Sequence, residues 1–390
     1  MIALSPDQQT ARAAAHAALA TGKRCSVLVG PAGSGKTTLM QAVVDDVTAT
    51  GREVVLLCPT GKAAAVLRDK TGREAGTIHQ ALYGAVWEED DDEDDASGAT
   101  ASEPTLHFGD PHPPCGKGGL VVCDEASMVG SKLHRDLLHQ LCRRKGAQLL
   151  YVGDREQLEP VQDTWGPDFA APDALLTQVH RQALDSPVLQ LATAVRTRQA
   201  FTSWVPGVCE AGPGDPVAWM AQRAQADATL LAYTNRTRQK LNTQVRHAVG
   251  LQGRLAVGDR VVCLLNSHST GMMNGEVATV LALEPAERGW TRLELSNRVK
   301  PLVRLDMLGS KVRDWRDQQK RLPWAQRDEA LHVDLGWCLT VHKSQGSEWR
   351  SVGFVTDNGY SWLRRSKPDE ARRLTYTAVT RASTELRIFK

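Results

Sequence analysis

Short, continuously apolar segments alternate with helical segments in the first 160 residues, and this pattern constrains the fold more than any other feature of the chain. The apolar segments are Cys25–Val29, Val54–Cys58, Leu120–Cys123 and Gln148–Val152. β-Strands that are apolar on both faces are typical of a parallel sheet covered by helices on both sides. The alternation therefore predicts a parallel α/β sheet, and Ser5 is expected to cap its first helix.

The second half of the chain repeats this alternation and then interrupts it. Apolar strands are expected at Thr229–Ala232, Val352–Thr356 and Glu385–Phe389. Between about residues 258 and 331 the pattern changes to short β-segments, which predicts a small β-barrel inserted into a second α/β unit. A chain of 390 residues is long enough for two or three domains.

Charge and composition favour a polyanionic partner and disfavour the membrane and secreted classes. Glu88–Asp95 is a run of eight carboxylates, and without it the formal net charge of +2 would be +10. The run indicates a solvated acidic loop at the tip of a small hairpin. No apolar stretch is long enough for a membrane span, and no signal peptide is expected. The eight scattered cysteines are typical of free thiols in a reducing cytoplasm.

A glycine-rich loop joins the first strand to the next helix. Residues 30–37 read GPAGSGKT, which matches the phosphate-loop pattern G-x-x-x-x-G-K-[ST] between a strand and a helix, as the motif requires. Its glycines allow backbone N–H groups to face phosphate oxygens, and the helix N-terminus adds positive potential. Lys36 is expected to reach the β- and γ-phosphates and Thr37 to ligate Mg²⁺. The loop therefore predicts a nucleoside triphosphate site.

Two carboxylates follow the strand Leu120–Cys123, at the strand end where ligands bind in open α/β sheets. Asp124 is expected to hold Mg²⁺ through water, and Glu125 to polarise the attacking water. Without the phosphate loop, such a pair would as often cap a helix. Gln157 follows the next strand, where it could contact the γ-phosphate or its water, or simply form the turn after the strand.

Nearly the whole chain resembles the superfamily 1B DNA helicases of the RecD-like and phage Dda-like group. Besides the phosphate loop, the matching segments occur in the family's order at residues 58–64 (CPTGKAA), 77–79 (TIH), 124–128 (DEASM), 153–158 (GDREQL), 179–182 (VHRQ), 340–348 (TVHKSQGSE) and 376–382 (YTAVTRA). The resemblance implies an α/β fold of two RecA-like P-loop domains in tandem, with a small β-hairpin insertion in the first and an SH3-like β-barrel insertion in the second.

The resemblance also implies domain boundaries. The first motor domain is expected at residues 1–83 and 118–180, with the hairpin insertion at 84–117. The second motor domain is expected at 181–258 and 332–390, with the SH3-like insertion at 259–331. The implied activity is an ATP- and Mg²⁺-dependent helicase that moves 5′→3′ along single-stranded DNA and unwinds duplex DNA.

Further roles at the nucleotide site follow from the same resemblance. Arg181 and Arg381 resemble two arginine fingers of the second motor domain, which neutralise transition-state charge when the cleft closes. Gln8 resembles the glutamine that reads adenine, although it also fits a capping box with Ser5. The residues expected to act in catalysis are Lys36, Glu125, Gln157, Arg181 and Arg381. The residues expected to bind ATP are Gln8, Gly33, Ser34, Gly35, Lys36, Thr37, Thr38, Gly346 and Glu348.

The implied partners are single-stranded DNA and junctions of single- and double-stranded DNA. Hydroxyl, amide and backbone groups suit phosphate contacts without sequence readout. The residues expected to contact DNA are Pro59, Thr60, Thr77, His79, Tyr233, Asn235, Thr340, His342 and Ser344. His79 is equally consistent with a structural histidine. One or two tryptophans of the second half are expected to stack on bases, and a monomer is expected because one chain holds both motor domains.

Other functions remain open at this point. The chain could be an RNA-directed superfamily 1 translocase, or an ATP-switched clamp that grips single strands without unwinding. The absence of an N-K-x-D motif favours ATP over GTP. The acidic run stands where family members carry a hairpin pin. Its carboxylates would repel DNA phosphate, so the edge that separates the strands is expected elsewhere.

Overall fold

The computed structural model describes residues 4–83, 114–160, 163–179, 185–267, 270–327 and 329–390. The predicted acidic loop, most of the predicted hairpin insertion and Arg181 lie outside these ranges. Within the described residues, no helix combines the length and the apolar character needed to cross a bilayer. All eight cysteines lie in the described ranges and are free thiols.

Within the ranges described, the β-strands fall into three sheets. In chain order they are β1 (Cys25–Val29), β2 (Val54–Cys58), β3 (Ala75–Thr77), β4 (Leu120–Cys123), β5 (Gln148–Gly153), β6 (Ala174–Leu175), β7 (Cys209–Gly212), β8 (Ala228–Ala232), β9 (Arg260–Cys263), β10 (Val277–Pro285), β11 (Thr291–Leu295), β12 (Leu302–Val303), β13 (Val333–Leu335), β14 (Cys338–Thr340), β15 (Trp349–Val355) and β16 (Ala382–Phe389).

α-Helices separate most of the consecutive parallel strands. In chain order they are α1 (Pro6–Ala20), α2 (Lys36–Ala49), α3 (Gly61–Thr71), α4 (Ile78–Tyr83), α5 (Ser131–Cys142), α6 (Pro187–Thr197), α7 (Pro216–Ala221), α8 (Asn235–Ala248), α9 (Val312–Gln319), α10 (Trp324–Arg327), α11 (Asn358–Ser366) and α12 (Pro368–Val379).

The first sheet has parallel strands in the order β3-β2-β4-β5-β1-β6. Successive side chains of a strand point to opposite faces of the sheet. On one face, Leu28 and Val122 pack in a core with α1, α2 and α3. On the other face, Val27 and Val121 pack with α4 and α5. The predicted parallel sheet with helices on both sides is confirmed, because alternate apolar residues of each strand fill two separate cores.

The second sheet is also parallel, in the order β14-β8-β15-β16-β7. Leu231 packs with α6 and α12 on one face, and Leu230 packs with α7 and α8 on the other. Strands β15 and β16 begin three residues earlier than predicted. The reason is that Trp349 and Ala382 are already paired across the two strands.

The chain between α8 and β14 forms a third sheet, which is antiparallel in the order β12-β11-β10-β9-β13. Val261 and Leu293 belong to its own apolar core. Arg246 of α8 and Asp259 form a buried ion pair with an N–O distance of 2.7 Å, which fixes the start of this sheet. Its last strand, β13, lies beyond residue 331, where the sequence predicted that the insertion would end.

His332 gives this antiparallel sheet a pH-dependent stability. Its ring is buried and stacks on Trp315 at a centroid distance of 5.1 Å. Burial, reinforced by Lys343, lowers the pKa of His332 to about 4. The unfolded chain therefore binds the proton more tightly, and stability present above about pH 6.5 is lost as the pH falls toward 4.

We expect the lowered pKa of His332 to reduce the free energy of unfolding of the wild-type protein by on the order of 2 kcal/mol between about pH 7 and about pH 5. Urea unfolding at both pH values measures the effect. In a His332→Gln variant, which cannot titrate, the pH dependence is expected to be smaller by that amount. An equal pH dependence in the two proteins would show that folding does not lower the pKa of His332.

Candidate active site

The glycine-rich loop lies at the carboxyl end of β1 and leads into α2. Gly33 and Gly35 have φ of 76° and 75°, in the left-handed region that favours glycine. A Cβ atom on Gly30 would lie 2.6 Å from the Ser34 hydroxyl oxygen and 2.9 Å from Leu176 Cβ. Because α2 begins at the end of this loop, the unpaired N–H groups of its first turn favour an anion there.

Lys36 is the first residue of α2 and is half-buried. Its ammonium group donates to the carbonyl oxygens of Gly30 at 2.8 Å and Pro31 at 3.1 Å. It also lies 4.0 Å from the Asp154 carboxylate. The side chain is thus folded back over the loop, with its positive charge close to the loop carbonyls and to Asp154.

Asp124 and Glu125 follow β4. They lie at the same sheet edge as the loop, because β4, β5 and β1 are neighbouring parallel strands whose carboxyl ends share that edge. Burial and the neighbouring Glu125 raise the pKa of Asp124 to about 6, while Lys36 opposes the rise. The Glu125 N–H donates to the Asp124 carboxylate at 2.9 Å. Glu125 has φ 53° and ψ 37°, a left-handed conformation that costs an L-residue with a side chain roughly 1–2 kcal/mol.

This strain has a consequence for the direction of the Glu125 side chain. This left-handed residue lies two positions after the end of β4 and turns the chain sharply there. The two carboxylates therefore need not alternate across the sheet as neighbouring strand residues do. Strain of this kind is commonly found at active sites.

Asp154 and Gln157 follow β5 and are buried. Burial raises the pKa of Asp154, against the influence of Lys36 and of a hydrogen bond from Tyr376. The Gln157 amide oxygen accepts a hydrogen bond from the Ser127 hydroxyl at 3.2 Å. Gln157 thus ties the segment after β5 to the segment after β4, next to the two carboxylates.

Gln8 is 2% exposed and has partners for both ends of its amide. Its oxygen accepts from Ser5 N at 3.0 Å, and the Ser5 hydroxyl accepts from Gln8 N at 3.3 Å. These two bonds form the capping box that the sequence suggested. The amide nitrogen donates to Gly35 O at 3.2 Å, so Gln8 links α1 directly to the phosphate loop.

Residues of α12, in the second half of the chain, contact the phosphate loop and the segment after β5. The Tyr376 hydroxyl accepts a hydrogen bond from Ala32 N at 2.9 Å and donates to the Asp154 carboxylate at 2.7 Å. The Thr377 hydroxyl accepts from Leu158 N at 3.1 Å. Two further ion pairs connect α12 to the segment after β5: Arg372 with Glu156 and Arg373 with Glu159.

Arg381 is buried and is held within the second half. Its guanidinium group donates to Thr377 O at 3.1 Å, Ser347 O at 3.0 Å and the Thr380 hydroxyl at 3.1 Å. Gly346, expected at the ribose, has φ 71°, and a Cβ atom there would lie 3.3 Å from Ala63 Cβ. Gly346 therefore contacts the start of α3 in the first half. Glu348 is exposed.

The residues expected to contact DNA from the first half differ in exposure. Thr77 is 2% exposed, and its hydroxyl donates to the Gln80 amide oxygen at 3.0 Å and accepts from Gln80 N at 3.1 Å. Thr60 caps α3 by accepting from Ala63 N at 3.2 Å. Pro59 is half-buried, whereas His79 is exposed. Thr77 therefore has a structural role here, and His79 is accessible to a partner.

The residues of the second half that were expected to contact DNA also divide into buried and accessible ones. Ser344 is fully buried and its hydroxyl donates to Val341 O at 2.7 Å. Thr340 is 6% exposed and accepts from Lys343 N at 3.3 Å. Tyr233 and His342 are half-buried, with ring centroids 6.4 Å apart. Asn235 is exposed at the start of α8. Of the tryptophans with described side chains, Trp204 and Trp362 are the exposed ones, at 41% and 54%.

Several contacts at the junction of the two halves were not predicted. Tyr376 and Asp154 lie inside matching segments, but neither had been given a role. Lys62 lies over the Trp349 ring at 4.7 Å from its centroid, and burial lowers the pKa of Lys62 to about 8. Met273, from the antiparallel region, lies directly against Gly61. Nothing in the local sequence around Met273 indicated this contact.

The oxygen donors at the loop fit a small divalent cation. Mg²⁺ takes oxygen ligands, retains several waters and commonly binds through one or two protein groups together with phosphates. The Thr37 hydroxyl lies in the first turn of α2, and the Asp124 carboxylate lies at the adjoining sheet edge. These residues would hold the cation, and Lys36 would contact the phosphate oxygens beside it.

Two family models match the chain. Residues 3–202 match the model of an AAA domain, and residues 335–389 match the model of a UvrD-like helicase C-terminal domain. The first match includes the phosphate loop and both carboxylates after β4. The second includes Tyr376 and Arg381.

Similar proteins include helicases. The ATP-dependent RecD2 DNA helicase of Deinococcus radiodurans is 31% identical over 385 residues, which cover 93% of this chain and 46% of that protein. The ATP-dependent DNA helicase Dda of Enterobacteria phage T4 is 30% identical over 176 residues, which cover 43% of this chain and 36% of that protein. The chain thus spans about half the length, or less, of these curated relatives.

The crystal structure of Bacteroides Pif1 bound to single-stranded DNA shares the fold, with a TM-score of 0.56 and 17% identity over 100% of this chain and 93% of that chain. The AAA-domain match covers just over half of the 390 residues. It shows that the chain belongs to the AAA-domain family, here with a UvrD-like helicase C-terminal domain and with similarity to the RecD2 and Dda helicases.

Proposed function

We propose that this protein is an ATP- and Mg²⁺-dependent DNA helicase that moves 5′→3′ along single-stranded DNA and unwinds duplex DNA. One observation carries the proposal. The phosphate loop and the two carboxylates after β4 share one sheet edge, and α12 of the second sheet is hydrogen-bonded to that edge through Tyr376. ATP bound there would contact both halves, so its hydrolysis would change how the halves meet.

In this proposal each residue of the loop edge has a distinct task. Lys36 binds the β- and γ-phosphates, and Thr37 and Asp124 hold Mg²⁺, which supplies positive charge to the phosphate oxygens. Glu125 orients and polarises the attacking water, with Gln157 beside it. Gly33, Ser34, Gly35 and Thr38 bind phosphate through backbone and hydroxyl groups.

The remaining tasks at the nucleotide fall to the second half and to Gln8 of α1. Arg381, together with Arg181, neutralises charge in the transition state. Arg381 must exchange at least one of its present carbonyl partners to do so. Gln8 contacts adenine, which requires its amide to leave Gly35 O or to use its remaining hydrogen-bonding capacity. Glu348 is exposed and free to meet the ribose, with Gly346 beside it.

We propose that the DNA strand crosses both parallel sheets. Exposure supports His79 and Asn235 as direct contacts, and Pro59, Thr60, Tyr233 and His342 as partly accessible ones. Thr77, Thr340 and Ser344 would act by holding the backbone of these segments. The antiparallel sheet would be the SH3-like insertion, and its Met273 contact with Gly61 would transmit movement between the two halves.

The proposed domain boundaries are those implied by the family resemblance. The parallel sheets would form the cores of two RecA-like motor domains, at residues 1–83 with 118–180 and at 181–258 with 332–390. A hairpin at 84–117 would belong to the first of these domains. A single chain with both motor domains can work as a monomer, and a cytoplasmic location belongs to the same proposal.

Unwinding of two partial duplexes, one with a 5′ and one with a 3′ single-stranded tail, tests this function. We expect unwinding only from the 5′ tail, with ATP and Mg²⁺ both required. Unwinding only from the 3′ tail would overturn the polarity. ATP hydrolysis stimulated by single strands without unwinding would instead indicate a translocase or a switched clamp. Comparing stimulation by poly-dT and poly-U distinguishes DNA from RNA as the track.

A further inference from the structure

The Tyr376 hydroxyl makes the most direct connection between the second half and the phosphate loop. It accepts from Ala32 N at 2.9 Å and donates to Asp154 at 2.7 Å. Both partners belong to the first half, and the tyrosine belongs to α12 of the second half. One side chain of α12 is therefore hydrogen-bonded both to the phosphate loop and to the segment after β5.

Water does not reach this group. Tyr376 and Asp154 are each 1% exposed. Burial and the neighbouring carboxylate raise the pKa of Tyr376 well above its usual value, so the hydroxyl keeps its proton and can donate it. Removing the oxygen alone would leave the Ala32 N–H and the buried Asp154 carboxylate each short of one partner, which is costly for a buried carboxylate.

The hydroxyl also stands between the two charged groups of the proposed reaction. On one side, Asp154 lies 4.0 Å from the Lys36 ammonium group, which is bonded to the loop carbonyls. On the other side, the helix that carries Tyr376 ends next to Arg381, whose guanidinium donates to Thr377 O. A contiguous set of contacts therefore runs from Lys36 through Asp154 and Tyr376 to Arg381.

We propose that Tyr376 is a positioning residue that sets the distance and angle of α12, and hence of Arg381, relative to the phosphate loop. This inference rests on the proposed function, since it assigns a task within ATP hydrolysis. Tyr376 acts through Asp154 and the Ala32 N–H rather than on the reacting atoms. Its loss should therefore slow the chemical step more than it weakens ATP binding.

The test is a Tyr376→Phe variant, which keeps the ring and removes the hydroxyl. We expect kcat for ATP hydrolysis stimulated by single-stranded DNA to fall about tenfold, with KM for ATP changing less than about twofold. Steady-state ATPase assays at saturating oligo-dT measure both constants. A change confined to KM, or no change in either constant, would overturn the inference.

A matched control is Tyr360→Phe. The Tyr360 hydroxyl is paired with the Thr375 hydroxyl at 2.7 Å in the same half and, among the described residues, has no hydrogen bond to the phosphate loop. We expect kcat to stay within about twofold of wild type in this variant. Equal losses in both tyrosine variants would show a general effect of loosening this region, and would overturn a specific role for Tyr376. An inactive wild-type protein would instead refute the proposed function itself.

A second variant, Asp154→Asn, tests the route by which Tyr376 acts and serves if Tyr376→Phe does not fold. Asparagine keeps the size and an acceptor oxygen but removes the charge beside Lys36. We expect kcat to fall by a similar factor, and the double variant to lose no more than about twofold beyond the lower single variant. A double variant whose loss equals the product of the single losses would overturn action through Asp154.

Discussion

Replacing Lys36 with alanine is expected to reduce ATP hydrolysis stimulated by single-stranded DNA by roughly 10²–10³-fold, and to abolish unwinding. The reason is local. The Lys36 ammonium group is the cation that lies over the phosphate loop, where it bonds to Gly30 O and Pro31 O. Without it, the charge that develops on the γ-phosphate would be met by backbone groups and Mg²⁺ alone. Steady-state ATPase and fork-unwinding assays measure the two losses.

Lys23→Ala is the matched control for this variant. Lys23 lies at the opposite end of β1 and makes an exposed ion pair with Asp173 at 2.7 Å. Such surface pairs contribute about 0–1 kcal/mol to stability, so the control is expected to fold and to keep its rate. If Lys36→Ala retained more than about a tenth of wild-type activity, the loop would not be the site of hydrolysis.

Replacing Glu125 with glutamine is expected to lower kcat by roughly 10²–10⁴-fold while ATP binding remains. Glutamine has the same length and can occupy the same left-handed backbone, so the position of the side chain should be kept. Only the ability to polarise water is lost. The variant should therefore bind ATP and DNA together without turning over, which separates binding from chemistry.

Two measurements check this prediction: single-turnover hydrolysis, and titration with a fluorescent ATP analogue. Glu74→Gln is the control, because Glu74 is an exposed carboxylate between α3 and β3. We expect it to match wild type in both measurements. A Glu125→Gln variant with kcat within about threefold of wild type would show that another group activates the water. It would also leave the strained backbone at Glu125 without a catalytic reason.

Much of this architecture followed from local sequence. Strands such as Leu120–Cys123 are apolar at every position, which is typical of a parallel sheet between two layers of helices. The phosphate loop was equally predictable. Its chemistry depends on neighbouring residues: glycines at positions with positive φ, and a helix that begins at Lys36. The capping box between Ser5 and Gln8 is local for the same reason.

The role of each polar residue was less predictable. Thr77, Thr340 and Ser344 have the hydroxyl groups expected of DNA contacts, and yet all three are buried with their hydroxyls bonded to nearby chain. The sequence alone cannot distinguish a hydroxyl that meets a ligand from one that holds a turn. Both uses need the same residue type, and only burial separates them.

The sequence by itself determined most strands of the parallel sheets, the position of the phosphate loop and the two carboxylates after β4, because the apolar pattern of a strand and the spacing of a motif are local. The tertiary structure decided which distant residues meet. Tyr376 lies more than 340 positions from Ala32 and 222 from Asp154, and Met273 lies 212 from Gly61. Such pairings arise from how two sheets and an inserted sheet pack together, and no local pattern of residues encodes that packing.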